Sequence, residues 1–368
     1  MPSIAASPGS RRPHSSWPEV AASPAYPYLE VDRFLETIAG AQALTSAFEL
    51  GLIDTLAAGG AVARADLTAR LPVEDAGLDV LLGLLAGAGV VSVGPAGAVR
   101  LTDQFSAALE FRELLEAKLD LLRVAVPDFI LGLADLVADH RRFMARSRMF
   151  QLFDYQRATT LTPENRAWTE RWVRMTTALT AHEAAALLER HDFSRDAQLL
   201  DVGGNSGEFA IRICAAYPQL NATVLDLPVV CRIGEEHVQR TAAGARIRFV
   251  AGDARQDTWP AGMDVVTFKS VLHDWPDEDA ALLLDRARGA LRPSGSLIIF
   301  ERTRMALGEG PLPCAAIPML LFARGFRDAS WYQDRLAALG FTAIRVQQVT
   351  LDTPFMIVEA AAPAGVGA

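Results

Sequence analysis

Hydrophobic positions change period along the chain, and the changes divide it into regions. Between residues 30 and 60, Phe34, Ile38, Ala41, Leu44, Ala47, Phe48 and Leu52 recur about three or four residues apart, the spacing of one helical face. "ELGLIDTL" reads as a helix end, a glycine break and a short helix. "ARADLTARL" opens a further helix, and "DAGLDVLLGLLAGAGVV" forms another that ends in glycines. "VSVGPAGAVRLT" then sets two apolar pieces around a Gly-Pro-Ala-Gly turn, which predicts a small hairpin. Helices followed by a hairpin outline a winged helix over residues 28–105. Residues 106–190 read as helical throughout and carry many large side chains, Phe129, Tyr155, Trp172 and Met175 among them. Such side chains either pack helices together or wall an apolar pocket.

After residue 195 the period shortens. "QLLDVGG", "NATVLDLP", "IRFVAGD", "DVVTFKS" and "GSLIIFE" are short apolar runs that alternate with helical stretches, and "TAIRVQQV" and "FMIVEA" close the chain. This alternation predicts a parallel, doubly wound sheet over residues 191–362. Residues 1–27 carry no period and are rich in Pro, Ser and Ala without the apolar core of a secretory signal. They are expected to form a disordered leader; the alternative is an arm that folds onto a partner.

Charge changes the reading of the winged helix, a shape that can bind DNA. The chain holds 35 basic and 44 acidic residues, a net charge of −9, which disfavours nucleic acid or an anionic membrane as main partner. Residues 31–105 carry nine acids against four bases, whereas a duplex reader needs a net positive face. A dimerisation module is therefore favoured. No apolar run reaches the roughly 18 residues that span a bilayer. Cys214, Cys231 and Cys314 lie far apart without CxxC spacing, as expected of reduced thiols in a cytoplasmic protein.

In doubly wound sheets, ligands bind beyond the C-terminal strand ends. The first strand runs into "DVGGNSG", where Gly203 and Gly204 permit a tight turn before a helix N-terminus. A dinucleotide fingerprint would place glycines where Asn205 and Glu208 stand, which weakens a nicotinamide reading. Asp226 and Asp253 end the second and third strands, placed for a ribose and an adenine amino group. Each alone could equally be a helix cap or a turn residue; the two together after a glycine-rich loop favour adenosine. No phosphate loop accompanies them, so S-adenosylmethionine is the expected cofactor. No Asp/His cluster calls for a metal.

"LLDVGGNSG", "VLDLP", "AGD", "FKSVLHDWPDED" and "LRPSGSLIIFER", in that order, resemble the small-molecule O-methyltransferase family of the caffeate/hydroxyindole type. Its bacterial members tailor antibiotics such as mitomycins, anthracyclines and phenazines. "AQALTSAFELGLIDTLAAGG", "LLGLLAGAGVVSV" and "VRLT" resemble that family's dimerisation domain. The resemblance implies an α/β, Rossmann-like class I methyltransferase sheet of seven strands, one antiparallel. Beside it would stand an N-terminal, α-helical, winged-helix-like dimerisation domain of an intertwined homodimer. By motif position, Asp201, Gly203, Gly204, Asp226, Leu227, Gly252, Asp253, Ala254, Lys269 and Trp275 would surround S-adenosyl-L-methionine and its product S-adenosyl-L-homocysteine. His273 falls on the general base and Glu301 on the acid that orients it, with Asp274 beside them.

Many members carry a second acid before the last helix. Here that stretch is "RDASWY", and Trp331 stands in the acid's place, which leaves Asp274 or Asp328 as candidate substitutes. His182 lies in a helix before the sheet, and His140, His191 and His237 neighbour charges, so none competes well with His273. Phe129, Tyr155, Trp172, Met175, Met319, Phe322 and Asp328 are the candidate acceptor contacts. The expected reaction is methyl transfer to a phenol-type hydroxyl of a small, flat, polycyclic aromatic metabolite such as a phenazine or polyketide. N- or C-methylation, non-methylating chemistry on the same scaffold (hydroxylation, decarboxylation, a pericyclic step) and a winged-helix regulator remain the alternatives.

Overall fold

The computed structural model describes residues 26–28, 38–94, 97–304, 319–320, 322 and 325–364. Residues 1–25 of the expected leader, Phe34, Pro95, Ala96 and Cys314 lie outside the described residues. Tyr26 and Tyr28 are buried: the Tyr26 hydroxyl donates to Glu189, and Tyr28 stacks on His182 with ring centroids 4.9 Å apart. Tyr26, within the expected leader, thus packs beside Tyr28, the first residue of the expected domain.

The N-terminal domain follows the helical period. α1 (Ile38–Glu49) and α2 (Leu52–Gly59) are separated by Gly51, whose φ of 76° makes the break. β1 (Val62–Ala63), α3 (Arg64–Arg70), α4 (Asp75–Gly87), β2 (Val91–Val93) and β3 (Ala98–Leu101) complete the wing. Its three strands pair antiparallel in the order β1-β3-β2. α5 (Asp103–Ala108) starts at Thr102, whose hydroxyl accepts from the Phe105 amide.

The linking region contains α6 (Arg112–Ala138), α7 (His140–Met144), α8 (Arg148–Leu152) and α9 (Pro163–Leu188), with a 3-10 turn at Tyr155–Thr159. One buried carboxylate organises it. Asp128 of α6 accepts from the Ser147 hydroxyl and the amides of Arg148 and Met149, so it caps α8 from another helix. α8 and the turn after it carry Phe150, Phe153 and Tyr155.

The catalytic-region elements are β4 (Gln198–Val202), α10 (Glu208–Ala216), β5 (Asn221–Asp226), α11 (Pro228–Val238), β6 (Ile247–Ala251), β7 (Met263–Lys269) and α12 (Asp277–Ala290). β8 (Leu291–Arg302), α13 (Ala329–Ala338), β9 (Thr342–Thr350) and β10 (Pro354–Ala361) follow. The seven strands pair in the order β6-β5-β4-β7-β8-β10-β9, and β10 runs antiparallel to both neighbours. Both sheet faces are covered, as their sequences require. Ile298 and Phe300 of β8 join a core continuous with the N-terminal helices, while Leu297 and Ile299 face α12 and α13. β4 has β5 on one side and β7 on the other, so the strand order reverses at β4, where the glycine loop begins.

Candidate active site

A cavity of about 720 Å³ opens beyond the C-terminal ends of β4, β5, β6 and β7, with the aromatic linker segments as its other wall. The glycine loop shapes its floor. Gly203 has φ +66°, and a Cβ there would fall 2.8 Å from Val271. Asn205 also adopts positive φ, at 57°, which turns its amide toward Asp226. Asp226 Oδ2 accepts from that amide at 2.8 Å and Oδ1 from Leu227 at 2.7 Å. Burial pushes the Asp226 carboxyl up to about 6.

Asp253 reaches the cavity wall already engaged. Its carboxylate accepts from the Arg255 side chain and from Gln256, and Arg255 lies over the Trp275 ring, 3.9 Å from its centroid. The Arg255 hydrogen bond holds this carboxyl below the usual range. Gly252, Ala254 and Leu227 line the same wall. Lys269 is present too, but its ammonium pairs with Glu183 and bonds to Thr180 at 3.0 Å. Glu183 also accepts from Arg302 at 2.9 Å, so α9 and two strand ends share a buried ion cluster at the cavity edge.

His273 sits on a short 3-10 turn, Leu272–Asp274, directly after β7. Its Nδ1 lies 2.7 Å from Glu301 Oε1. The other Glu301 oxygen accepts the amides of Val271 and Leu272, each at 3.1 Å, and Oε1 also accepts from Arg302 N. An acceptor so surrounded fixes the proton on Nδ1 and leaves Nε2 as the lone-pair nitrogen of a residue that lines the cavity. Burial would raise the Glu301 carboxyl; His273 and the Arg302 amide outweigh it and lower it. Burial would likewise lower the imidazole, but Glu301 and Asp274 outweigh that and raise it. Asp274 Oδ1 lies 3.4 Å from Nε2, and Oδ2 accepts from the Tyr155 hydroxyl at 2.9 Å.

The wall expected to meet the acceptor is aromatic. Tyr155, Trp172, Met175, Met319 and Phe322 all line the cavity, and the Phe322 ring centroid is 6.0 Å from that of His273. Glu301 meets the cavity only through His273, and four other expected site residues do not line it. Asp201 is fully buried beneath the loop, where Thr267 donates to one oxygen and a Cβ on Gly204 would fall 2.4 Å from the other. Gly204 therefore serves the packing of that carboxylate and not the cavity. Phe129 packs against Phe143, since it lies on the linker side of α6. Asp328 is exposed at the start of α13 and pairs with Arg304, so it is no partner for His273. Among the candidate second acids, Asp274 alone stands beside the imidazole.

Sequence reading missed Glu183, Arg302, Arg255 and Thr180. The available signal was an acid on the buried face of α9, but its two cationic partners lie 86 and 119 residues away in sequence. Among the described residues, no group of three or more His, Cys, Asp and Glu side chains is placed to hold a metal ion. No helix among them is long and apolar enough to cross a membrane.

Comparison with known proteins adds to this geometry. The family profile described as O-methyltransferase domain matches residues 132–342, and that described as O-methyltransferase dimerisation domain matches residues 33–108. The chain is 34% identical over 165 residues to acetylserotonin O-methyltransferase of Rattus norvegicus, covering 44% of this chain and 38% of that protein. It is 32% identical over 171 residues to 3-hydroxy-5-methyl-1-naphthoate 3-O-methyltransferase of Streptomyces sahachiroi, covering 45% and 48%. The chain thus spans less than half the length of these curated relatives. The crystal structure of human N-acetylserotonin methyltransferase in complex with SAM superposes with TM-score 0.63 at 20% identity, over 94% of this chain and 99% of that one, a likeness of fold.

Proposed function

The chain belongs to the O-methyltransferase family, and from that premise we propose that it transfers a methyl group from S-adenosyl-L-methionine to a hydroxyl of a flat aromatic acceptor, with His273 as general base. The observation that carries the reading is an imidazole tied at Nδ1 to a buried carboxylate, on a residue lining a cavity that also receives two strand-end carboxylates.

The donor set suits this cofactor. The wall at Asp226 and Asp253 is acidic, which fits ribose hydroxyls and an adenine amine and opposes a phosphate. Gly203 lets the backbone approach, Asp226 would take the ribose, and Asp253 would lie at the adenine, with Trp275 beside it. Aromatic faces at Tyr155, Trp172 and Phe322 are favourable neighbours of a cation. The cofactor supplies an electrophilic methyl on a sulfonium. The chain must hold the acceptor in line and remove a proton. Positioning of that kind lowers a barrier by about 7 kcal/mol or more in favourable cases. A phenol of pKa about 10 is protonated at neutral pH. A base within reach adds roughly 10²–10⁴-fold.

Homodimerisation belongs to the same reading. Val80 and Leu84 of α4, and Ile130, Leu131, Leu133 and Val137 of α6, are exposed apolar side chains suited to burial against a second copy. The acceptor class follows from the aromatic wall: a phenol-type hydroxyl on a polycyclic secondary metabolite such as a phenazine or polyketide.

The test is a mass-spectrometric assay with methyl-labelled S-adenosylmethionine against phenols, hydroxyphenazines, hydroxyquinones and amines. Label on a hydroxyl oxygen, abolished in His273→Ala with cofactor affinity intact, is expected. Label on nitrogen or carbon, or no label despite cofactor binding, overturns the assignment.

A further inference from the structure

The mechanism above uses His273 and Glu301 but leaves a third buried group unexplained. Asp274 Oδ1 stands 3.4 Å from Nε2, the nitrogen an acceptor hydroxyl must reach. With the Nδ1 proton committed to Glu301, a neutral imidazole would turn its Nε2 lone pair toward an ionised carboxylate in a buried site. That arrangement is repulsive, and a single proton between the two makes it attractive.

We propose that Tyr155 and Asp274 control the proton on His273: the Tyr155 hydroxyl holds the Asp274 carboxylate beside Nε2, imidazole and carboxylate share one proton before an acceptor binds, and the acceptor hydroxyl binds by taking Asp274's place at Nε2. The inference rests on the reading of His273 as base. In this scheme the shared proton leaves to solvent as the acceptor hydroxyl takes Asp274's place. The hydroxyl proton then passes to the freed Nε2, and the imidazolium so formed pairs again with Asp274, which restores the shared proton.

The surroundings favour a shared proton. β8 contributes Glu301, which is anionic, and Arg302, whose guanidinium is held by Glu183 at 2.9 Å with Asp352 at 3.7 Å. The segment before α13 contributes Arg327, which donates to the Leu272 and Trp275 carbonyls and pairs with Asp277. Phe322 and Phe326 present uncharged rings. The linker contributes Tyr155, and Asp226 at the end of β5 acts on that phenol. Burial and Asp274 raise the Tyr155 phenol well above its ordinary value, so it remains a donor throughout the working range. Burial also raises Asp274, which the Tyr155 hydrogen bond opposes. Tyr155 is thus a positioning residue that acts through Asp274, and it is the only link in this chain carried by the linker region.

The two groups predict opposite shifts. Without the carboxylate, His273 loses an anionic neighbour and its base form appears at lower pH. Without the Tyr155 hydroxyl, the carboxylate form of Asp274 is less stable, and the pair keeps its proton to higher pH. The experiment is a pH titration of the full chain, with ¹⁵N-labelled histidine, followed by NMR. His273 is assigned among the six histidines by its loss in His273→Gln. Asp274→Asn should lower the His273 midpoint by about one unit or more. Tyr155→Phe should raise it by roughly 0.4–1 unit, the equivalent of one hydrogen bond. An unmoved midpoint in Asp274→Asn, or a downward shift in Tyr155→Phe, overturns the proposal. If Asp274→Asn does not fold, Tyr155→Phe decides alone, since it removes one oxygen from a ring that stays packed. The acidic limb of kcat/KM should move with the midpoints. Midpoints that move as stated while His273→Gln retains its rate would leave the shared proton standing and remove the base assignment.

Discussion

The Arg327 guanidinium lies over the Trp331 ring, 4.6 Å from its centroid. Arg327 is buried and donates to the carbonyls of Leu272 and Trp275, on either side of His273 and Asp274. Trp331 therefore acts on the Leu272–Asp274 turn through its neighbour. It packs the cation that fixes the backbone under His273. Arg327→Leu should remove a donor from the Trp275 carbonyl and leave the Leu272 carbonyl only its bond from the Trp275 amide. It should cost about 2–4 kcal/mol of stability by denaturant unfolding, and reduce kcat by an order of magnitude or so. Trp331→Glu should lower the rate, because a carboxylate there competes for Arg327. A faster Trp331→Glu enzyme would show instead that an acid at this position serves the base.

Glu301 holds the imidazole in one tautomer. Glu301→Gln keeps the shape but offers an amide donor to Nδ1, so the ring can present its proton to the cavity. Turnover should fall by roughly 10²–10⁴-fold. Isothermal titration should give an unchanged cofactor affinity, and a parallel loss of binding would count against a role confined to the base.

Asp226 carries a pH dependence that can be signed. Burial raises its carboxyl to about 6, so the acceptor form that would hold a ribose is lost as pH falls through that value. Cofactor affinity should weaken below about pH 6 in the wild type. In Asp226→Asn it should be weaker by about tenfold at neutral pH, the loss of a charge-assisted hydrogen bond, and flat across the same range. A wild-type affinity that does not change between pH 5 and 7 would contradict the assignment.

Asp201 should make the protein less stable as pH rises. Burial raises its folded-state carboxyl from 3.8 to about 7, so the native state keeps a proton that the unfolded chain has released. The associated stability is present below about pH 4 and is lost as pH rises to about 7, by at most some 4 kcal/mol for a shift of this size. Asp201→Asn removes the titration. Its melting temperature relative to wild type should climb between pH 4 and 7 and level off above, as differential scanning calorimetry can follow.

The sheet was readable because each strand carries its own evidence. A short apolar run ending in glycine or aspartate is a local pattern, and Gly203, Asp226, Gly252 and Lys269 fall at strand ends for that reason. His273 followed from its place just after "FKSV". Asp201 was misplaced because an acid at a strand end looks alike in sequence whether it turns to the cavity or under the loop. Phe129 failed for a similar reason: helical period gives a face but not which neighbour that face meets. Asp328 and Glu183 depended on contacts between distant segments, which no local spacing encodes.

The hydrogen bonds from α8 to Asp128 have a consequence for how such a protein can diversify. The aromatic side chains of α8 and the following turn stand on a short segment anchored at its start by one carboxylate, while His273 and the strand-end acids stand at the edge of the sheet. On the proposed function, recognition and chemistry therefore rest on separable supports. Exchanges within residues 147–160 that keep Asp128, Ser147 and Tyr155 should retune which molecule is chosen without rebuilding the reaction centre, so the short anchored segment is where new specificities would most readily arise.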